Sequence, residues 1–501
     1  MNRESKIENR LVVKATLIFL AGFALYFLSR SPGLDEIDSV NFAMGVRQFD
    51  IWQHQPQPPG YPLYIALGKL GVALFKISPE LSLHLVSAIG GAIFLASWFL
   101  IIRLQFHERL AWWLTSCLAF TPVVWMTATK VLTDSLAAGL LSAELLFALC
   151  FVRSGNRNTA LAVSIFGAAA AGARPQLFAV ILVIWAAPFF WRRTPLKIWL
   201  PGIVVLLAGC LVWLVPMWYS QWLLHPETPV CQVYPKLIWG QWQWRFDKPD
   251  VYIGAGDWTP LYLAKRFAFH FLGWFGLGFG LLASAVALVV GVIILSGGVI
   301  GYFYQRREPS DVAFWKFHWP WAAVHCLIIF ACLPPTQRYY LVIYPLLLVM
   351  LLRGFLRMPA PWNRSVLLLP ALFLFIAVPL AMANHRDDAP PVRLVHYLEK
   401  LYPESERSHV MLLFSNRTQR HAQWYAPEFK TIPLHRLPAT NELPELTKDA
   451  LDVYTDDDQF ALPSGWRRVL VKEFSRNWVI YMKSHDVTLF RMEKPAGEVS
   501  P

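Results

Sequence analysis

Long apolar segments constrain the fold of this chain more than any other feature of its sequence. Eleven of them are candidate transmembrane helices, at residues 11–28, 82–102, 110–128, 132–151, 159–173, 175–190, 198–218, 277–303, 317–333, 339–356 and 365–383. A membrane span needs about 20 residues, and about 17 suffice at the short end. Only 16% of the 501 residues are charged and 56% are hydrophobic, which excludes an ordinary soluble enzyme. The sequence predicts a polytopic α-helical membrane protein with about eleven transmembrane helices.

The charges of the loops predict the orientation in the membrane. With the N-terminus inside, the inner segments hold 17 basic and 5 acidic residues, whereas the outer segments of residues 1–383 hold 12 and 10. An excess of basic residues inside is the positive-inside pattern. The apolar segment 59–75 is interpreted as a re-entrant or surface helix, because counting it as a span would reverse every later loop. We expect a bacterial inner-membrane protein with a cytoplasmic N-terminus and two long periplasmic loops, 29–81 and 219–276.

The composition changes after residue 383. Charged residues rise to 33 of the last 118, and alternating apolar runs at 469–471, 479–481 and 487–490 predict strands. A short helix is predicted at 391–401. Residues 1–383 are therefore interpreted as a membrane module and residues 384–501 as a small soluble α/β domain, which helix counting places outside. The net charge of +12 falls on the membrane module. An excess of basic residues there is expected from the orientation of the helices in the membrane, so nucleic acid is not an expected partner.

Three carboxylates follow directly on the first predicted helix, in the first outer loop: Asp35, Glu36 and Asp38. A carboxylate close to a low-dielectric region has a raised pKa and becomes a useful proton acceptor. The structural alternative is an acidic start to a second helix, with Asp35 or Asp38 as its cap. The local sequence leaves both interpretations open.

The residues after these carboxylates form a recognisable pattern. Phe42-Ala43 is followed by Pro58-Pro59-Gly60-Tyr61-Pro62-Leu63-Tyr64. This arrangement resembles the GT-C glycosyltransferases, in particular the protein O-mannosyltransferase and aminoarabinose transferase superfamily, whose signature is Asp-Glu-x-x-Tyr-Ala and then Pro-Pro-Leu-Tyr. Aligning Phe42-Ala43 with Tyr-Ala places the family's aspartate at Asp38, although Ser39 then replaces the glutamate. The resemblance implies that Asp38 is the base, with the earlier dipeptide Asp35-Glu36 as the second choice, and that 59–75 is a surface helix.

A second matching element is Arg338-Tyr339-Tyr340, which opens the predicted tenth helix on the outer side and is followed by Pro345. The family has an Arg-Tyr pair and a proline at a comparable place. Arginine there can hold a lipid-linked phosphate through charge-assisted hydrogen bonds. The alternative is an arginine that extends to the membrane interface. The resemblance favours the functional interpretation for Arg338 and Tyr339.

Further candidates for donor binding lie in other outer segments. Arg174 and Lys130 occupy two outer turns, where they either line a lipid-phosphate groove or are ordinary loop charges. His54 and Tyr61 belong to the first outer loop. His54 has no partner at metal-ligand spacing, so neither a metal nor another cofactor is predicted. Glu144 lies in the middle of the predicted fourth helix, where a helix–helix hydrogen bond is the expected role.

The resemblance implies an integral membrane glycosyltransferase. Its partners would be a polyprenyl-phosphate-linked sugar, membrane lipids and an acceptor, which is a protein, a lipid or a glycan. The sugar would be transferred at the outer face with inversion at the anomeric carbon. Two alternatives remain at this point. One is a polytopic transporter or lipid flippase, which eleven helices and Glu144 permit, and the other is a glycan polymerase or ligase that uses a diphosphate-linked donor.

Overall fold

The structure is a computed structural model that describes residues 3–227, 259–275, 296–303, 308–332, 337–434, 443–475 and 486–494. The described part of the chain before residue 387 is mainly helical. Its named helices are α1 Arg3–Leu28, α2 Ile37–Arg47, α3 Pro62–Phe75, α4 Pro79–Gln105, α5 Glu108–Phe120, α6 Pro122–Ala128, α7 Thr133–Ser154, α8 Arg157–Ala173, α9 Phe178–Arg192, α10 Leu196–Leu224, α11 Pro260–Phe275, α12 Pro309–Cys332, α13 Tyr344–Arg357 and α14 Leu368–Arg386. Three 3₁₀ turns, Pro175–Leu177, Gln337–Tyr340 and Trp362–Leu367, precede α9, α13 and α14.

The chain is an integral membrane protein. Within the described ranges, six helical segments are long and apolar enough to span: Asn9–Leu28, Pro79–Gln105, Thr133–Ser154, Pro175–Arg192, Leu196–Leu224 and Trp362–Leu401. A seventh span results if α5 and α6, which meet at 61° before Pro122, are one broken helix. These seven correspond to seven of the eleven predicted spans.

The predicted number of eleven spans is not confirmed. The predicted span 159–173 is the 17-residue helix α8, and 339–356 is only the 14-residue helix α13. Helix α13 begins later than expected because the 3₁₀ turn occupies residues 337–340, and Pro345 then fits its first turn. The prediction at 317–333 falls on α12, which is not among the six segments. Most of 277–303 lies outside the described residues.

The surface helix expected at 59–75 is α3, which has 14 residues. At 1.5 Å per residue it is about 21 Å long, shorter than the hydrocarbon core of about 30 Å. Its side chains Leu70, Leu74 and Phe75 are exposed, whereas Tyr64 and Ile65 are buried against the helices behind it. These dimensions fit a helix that does not cross the membrane.

Two glycines bring α4 and α7 into close contact. A Cβ added at Gly139 would lie 2.3 Å from the Gly90 carbonyl oxygen, and one added at Gly90 would lie 2.4 Å from the Leu136 Cα. Without a hydrophobic driving force between helices inside lipid, such small residues allow the backbone contact that stabilises the pair. The contact matters for function because α7 and the turn before it carry Lys130 and Asp134.

The C-terminal domain is the small α/β unit that the composition predicted. Its five strands are β1 Val410–Phe414, β2 Lys430–Pro433, β3 Asp452–Thr455, β4 Arg467–Phe474 and β5 Val487–Glu493, in the order β2-β1-β3-β5-β4. Strand β1 pairs in parallel with β2 and β3, and β5 pairs antiparallel with β3 and β4. Its helices are α15 Pro390–Leu401, α16 Glu404–Arg407, α17 Asn416–Tyr425 and α18 Leu443–Leu446.

The strands expected at 469–471 and 487–490 lie within β4 and β5, and the helix expected at 391–401 is α15. The strand predicted at 479–481 lies outside the described residues. The sequence analysis did not predict strands β1 to β3. Strands β2 and β3 have four residues each, which is too few for a clear alternating pattern.

Substitution of Gly139 by alanine should separate α4 from α7. The added methyl group meets backbone rather than a flexible side chain, so the helices must move. We expect Gly139→Ala to lower both the yield of monodisperse detergent-extracted protein and its melting temperature by several degrees. Gly202→Ala is the matched control, because a Cβ at Gly202 in α10 meets only ordinary contacts of 3.4 Å or more. Equal stability of the two variants would contradict the packing argument.

Candidate active site

Arg338 joins two of the three predicted carboxylates. Its Nη1 donates to Glu36 Oε2 and its Nη2 donates to Asp38 Oδ2, each at 2.9 Å. Glu36 and Asp38 stand at the start of α2, and Arg338 stands in the 3₁₀ turn about 300 residues later. The side chain of Arg338 is only 10% exposed. It therefore points inward to the carboxylates of the first outer loop.

The carboxylates differ in exposure. The side chain of Asp38 is 31% exposed, against 17% for Glu36 and 5% for Asp35. Burial raises the pKa of Glu36 above its ordinary value, although the charges of Arg338 and Lys130 act in the opposite direction. The N-cap residue of α2 is Glu36, and its side chain makes no capping hydrogen bond. The capping interpretation of Asp35 and Asp38 is therefore not supported, and Asp38 is the carboxylate most accessible to a ligand.

Lys130 and Asp35 form a buried ion pair. Both residues are at least 95% buried. Loss of one partner from such a pair is strongly destabilising, because the other charge stays buried without compensation. Lys130 therefore holds the first outer loop against the turn between α6 and α7. It is absent from the lining of the pocket described below, where it was a candidate.

Arg174 lies in the break between α8 and α9. Its Nη1 is 2.5 Å from Asp134 Oδ1 in the first turn of α7. The Arg174 and Arg338 guanidinium carbons lie 5.0 and 5.3 Å from the centroid of the Tyr339 ring. Stacking on an aromatic face orients a guanidinium group while leaving its edge available for hydrogen bonds. Tyr339 thus brings two arginines from distant parts of the chain to one place.

Tyr61 contributes a hydroxyl group to the same region. Its Oη accepts a hydrogen bond of 2.8 Å from Gln176 Nε2, and its ring meets Phe42 edge to face at 5.2 Å. Burial raises the pKa of Tyr61 to about 12, while the charge of Arg174 acts in the opposite direction. The hydroxyl is therefore neutral at physiological pH, so it can donate its proton to a ligand but does not act as a base.

His54 sits at the tip of a tight turn with a left-handed backbone (φ 57°) and an exposed side chain. Its pKa is lowered by partial desolvation and by the charge of Arg420, and Asp38 acts in the opposite direction. The turn is held by Asp50, whose Oδ1 accepts from the amide of Trp52 and lies 3.0 Å from His225 Nε2. His54 thus lies near Asp38 but outside the pocket that contains the two arginines.

A pocket lies beside Arg338 and Arg174. Its lining, all within the described ranges, is Asp134, Ala137, Arg174, Gln176, Leu177, His325, Ile328, Arg338, Tyr339, Leu341 and Val342. The pocket has a volume of about 20 Å³, enough for about one water molecule. Its lining combines two guanidinium groups with apolar side chains. A phosphate attached to a hydrocarbon chain has the same combination of charged and apolar parts.

Three polar atoms of this lining are buried without a hydrogen-bond partner in the described part of the chain: Arg338 Nε, Gln176 Oε1 and His325 Nδ1. Buried polar atoms are normally paired, and a group of exceptions indicates a site for a ligand or water. His325 and Gln176 were missed by the sequence analysis. The only signal for His325 was a polar residue inside an apolar helix.

The tautomer of His325 follows from its surroundings. Its Nε2 lies 3.0 Å from the backbone carbonyl oxygen of Tyr339, so Nε2 carries the hydrogen and donates it. In the neutral ring Nδ1 is then an acceptor. Tyr339 therefore organises the pocket in two ways: its ring orients Arg174 and Arg338, and its carbonyl group orients His325.

A larger cavity lies elsewhere in the described part of the chain. It is a groove of about 460 Å³ between α1 and α14, with an almost wholly apolar lining that includes Leu25, Leu28 and Val378. It contains neither a carboxylate nor a guanidinium group. Its polar side chains are Ser29 and His385, and it lacks the paired acidic and basic groups found beside Arg338.

Two other sequence predictions have a place in the structure. Glu144 is fully buried in α7, and neither of its carboxylate oxygens has a hydrogen-bond partner in the described ranges, so the expected helix–helix hydrogen bond is not found. No group of three or more His, Cys, Asp or Glu side chains suited to a metal occurs among the described residues. The prediction that the chain needs no metal remains untested.

No protein-family model matches the chain, and no curated protein matches it. Solved structures do. ArnT from Cupriavidus metallidurans bound to undecaprenyl phosphate is 14% identical, with 99% of each chain covered and a TM-score of 0.54. The same protein in the apo state gives a TM-score of 0.55, with 98% of this chain and 99% of that chain covered.

A third similar structure is the Archaeoglobus fulgidus oligosaccharyltransferase in complex with Zn and sulfate. The two sequences are 12% identical. The match covers 89% of this chain and 68% of the oligosaccharyltransferase chain, and its TM-score of 0.45 is too low to establish a shared fold. The likeness to ArnT extends over the membrane module and the C-terminal domain together. The chain therefore has the fold of the GT-C glycosyltransferases, as the resemblance in its sequence predicted.

Proposed function

We propose that this protein is an inverting membrane glycosyltransferase that moves a sugar from a polyprenyl-phosphate donor to an acceptor hydroxyl at the outer face. The observation that carries the proposal is that Arg338 contacts Asp38 and Glu36 and also lines a pocket that combines guanidinium groups with apolar side chains. A base and a phosphate-binding group are the two parts that such a transfer needs. A similar fold in ArnT, which was solved with undecaprenyl phosphate, supports the donor class.

In the proposed reaction, the oxygen of the acceptor hydroxyl attacks the anomeric carbon of the donor sugar. The bond between that carbon and the bridging phosphate oxygen breaks, and polyprenyl phosphate leaves as an anion. Asp38 takes the proton of the hydroxyl. Attack opposite to the leaving group inverts the anomeric centre. No cofactor enters these steps.

The proposed phosphate site uses Arg338, Arg174, Tyr339 and Tyr61. The two terminal nitrogens of Arg338 donate to carboxylates, whereas its Nε–H has no hydrogen-bond partner within the described ranges and is available to a ligand. As the pocket stands it admits only about one water molecule, so the phosphate enters as the lining side chains move. Lys130 and Asp35 have a different role in this proposal: their buried pair fixes the loop that carries Asp38.

Asp38→Asn tests the base. The substitution keeps the shape of the side chain and removes its ability to accept the proton, so the transfer rate should fall at least about a hundredfold. Initial rates are measured with membranes that contain the protein, a radiolabelled polyprenyl-phosphate sugar and a mixture of candidate acceptors. Binding of the donor should be nearly intact.

Asp35→Asn is the comparison for that experiment. It leaves the buried Lys130 without its partner, at a cost of roughly 3–5 kcal/mol, so it should lower the amount of folded protein more than the rate per folded molecule. Full activity of Asp38→Asn would remove Asp38 as the base. Lipid scrambling or solute uptake that survives Asp38→Asn, without sugar transfer, would favour a flippase or transporter.

Arg338→Lys tests the phosphate site. A lysine has one nitrogen where Arg338 uses two to reach Glu36 and Asp38, and it lacks the planar group that stacks on Tyr339. We expect a clear loss of transfer at limiting donor, and a larger loss for Arg338→Ala. The control is Arg386→Lys, since Arg386 is exposed at the outer end of α14. Rates are normalised to detergent-extracted protein, and an unchanged rate for Arg338→Lys would exclude Arg338 from the site.

The proposed orientation places the first outer loop and the C-terminal domain on the same side of the membrane, in the periplasm. Single cysteines at the exposed positions 53 and 430, introduced into a variant without the native cysteines, should react with the same sidedness towards a membrane-impermeant maleimide. Labelling from opposite sides would mean that the segment 59–75 crosses the membrane. It would also contradict the contact between the loop and the domain.

A further inference from the structure

The C-terminal domain holds both backbone groups of the residue that precedes the carboxylate cluster. The amide of Leu34 donates to Tyr425 Oη at 2.8 Å, and its carbonyl oxygen lies 3.0 Å from His421 Nε2. Leu34 is fully buried, and Asp35 follows it directly. A Cβ at Gly33 would lie only 2.9 Å from Tyr425 Oη. The Tyr425 hydroxyl group therefore packs closely against the backbone of both Gly33 and Leu34.

His421 donates to Leu34 as a neutral ring. Burial lowers its pKa to about 4, so at neutral pH only one ring nitrogen carries a hydrogen. Nδ1 faces the carbonyl oxygen of Arg417 at 2.9 Å, four residues earlier in α17. In a helix that oxygen already accepts the backbone bond from residue 421. The hydrogen is therefore assigned to Nε2, where it satisfies the Leu34 carbonyl.

The same helix contacts the other end of α2. The guanidinium carbon of Arg47, the last residue of α2, lies 3.6 Å from the centroid of the Trp424 ring. Trp424 Nε1 donates to Glu80 Oε1 in α4 at 2.6 Å. Arg420 donates to the carbonyl oxygen of Gln53, in the turn that carries His54, at 2.6 Å. Helix α17 (Asn416–Tyr425) thus contacts the beginning of α2, its end and the turn that follows.

From these contacts we propose that α17 positions the helix that carries Asp38, and that Tyr425 and His421 are positioning residues for the transfer reaction. The inference rests on the proposed role of Asp38 as the base. Helix α2 has only 11 residues and follows an outer loop, so its own hydrogen bonds do not fix its place. A base must stay within hydrogen-bond reach of the acceptor hydroxyl, and displacement by about 1 Å is costly.

Part of the proposed donor site lies on elements other than α2. Arg174 lies between α8 and α9, and His325 lies in α12. Arg338 is the group of the donor site that α2 contacts, through Glu36 and Asp38. Loss of the α17 contact should therefore impair the chemical step more than it lowers donor affinity. A general loss of stability would instead lower the amount of active enzyme.

Tyr425→Phe tests the proposal. It deletes one hydroxyl group and leaves the Leu34 amide without its partner. We expect kcat to fall about tenfold, with a smaller change in KM for the polyprenyl-phosphate sugar. Tyr402→Phe is the matched control, because Tyr402 contacts Asp452 and Tyr454 inside the C-terminal domain, away from the loop. That variant should keep the kcat of the wild type per folded molecule.

A conservative pair at the second position separates positioning from packing. His421→Gln keeps an N–H donor near the place of Nε2 and should retain most of the activity. His421→Leu keeps a similar volume without a donor, and kcat should fall at least as far as in Tyr425→Phe. Equal activity of His421→Gln and His421→Leu would overturn the role of this hydrogen bond.

Hydrogen exchange of the segment 30–41 gives a readout that does not depend on the proposed function. Exchange should rise in Tyr425→Phe and His421→Leu and stay at the wild-type level in Tyr402→Phe. If exchange and kcat are both unchanged, α17 does not position the loop. If exchange rises as expected but the wild type transfers no sugar, the proposed function fails, and the contact of α17 with the loop stands as a structural role.

Discussion

The contact of Arg338 with Glu36 and Asp38 is the interaction on which the rest of the site depends. A guanidinium group that is mostly buried needs opposite charges close by, because burial of an unpaired charge is very costly. The two carboxylates supply them, and the three-group contact joins the first outer loop to the turn before α13. In the proposed reaction the same contact places the base beside the leaving phosphate. The same electrostatic requirement would therefore also arrange the groups of the proposed reaction.

A second set of contacts holds the segment that precedes α2. Lys130 pairs with Asp35, and α17 (Asn416–Tyr425) binds the backbone of Leu34. The short helix α2 is thus restrained on several sides by parts of the chain about 90 to 390 residues away. The small domain is better described as part of the scaffold of the site than as an appendage to the membrane module.

The site was predictable where a residue type and its place in the chain carried a chemical meaning. Carboxylates after the first helix and an arginine before a late helix indicated the two sides of the site. His325 and Gln176 were not predictable, because a single polar residue beside an apolar segment has many ordinary explanations. The charge of Lys130 suggested a phosphate ligand, and the structure adds that Lys130 forms an ion pair with Asp35. The choice of partner depends on distances across the fold, which local sequence does not contain.

The sequence by itself determined the class of the protein. The length of an apolar segment and the charge of the adjoining loops are local properties, and they govern insertion and orientation in a membrane. It also determined that the C-terminal part is an α/β domain. It did not determine where helices end: the predicted span 339–356 is a 3₁₀ turn followed by the 14-residue helix α13. Only the tertiary structure decided that Arg338 meets Asp38 and that α17 holds Leu34. Each of these contacts joins segments hundreds of residues apart. A hydrogen bond or ion pair contributes more to stability in a buried, low-dielectric environment, so these contacts become favourable only when the fold buries both partners together.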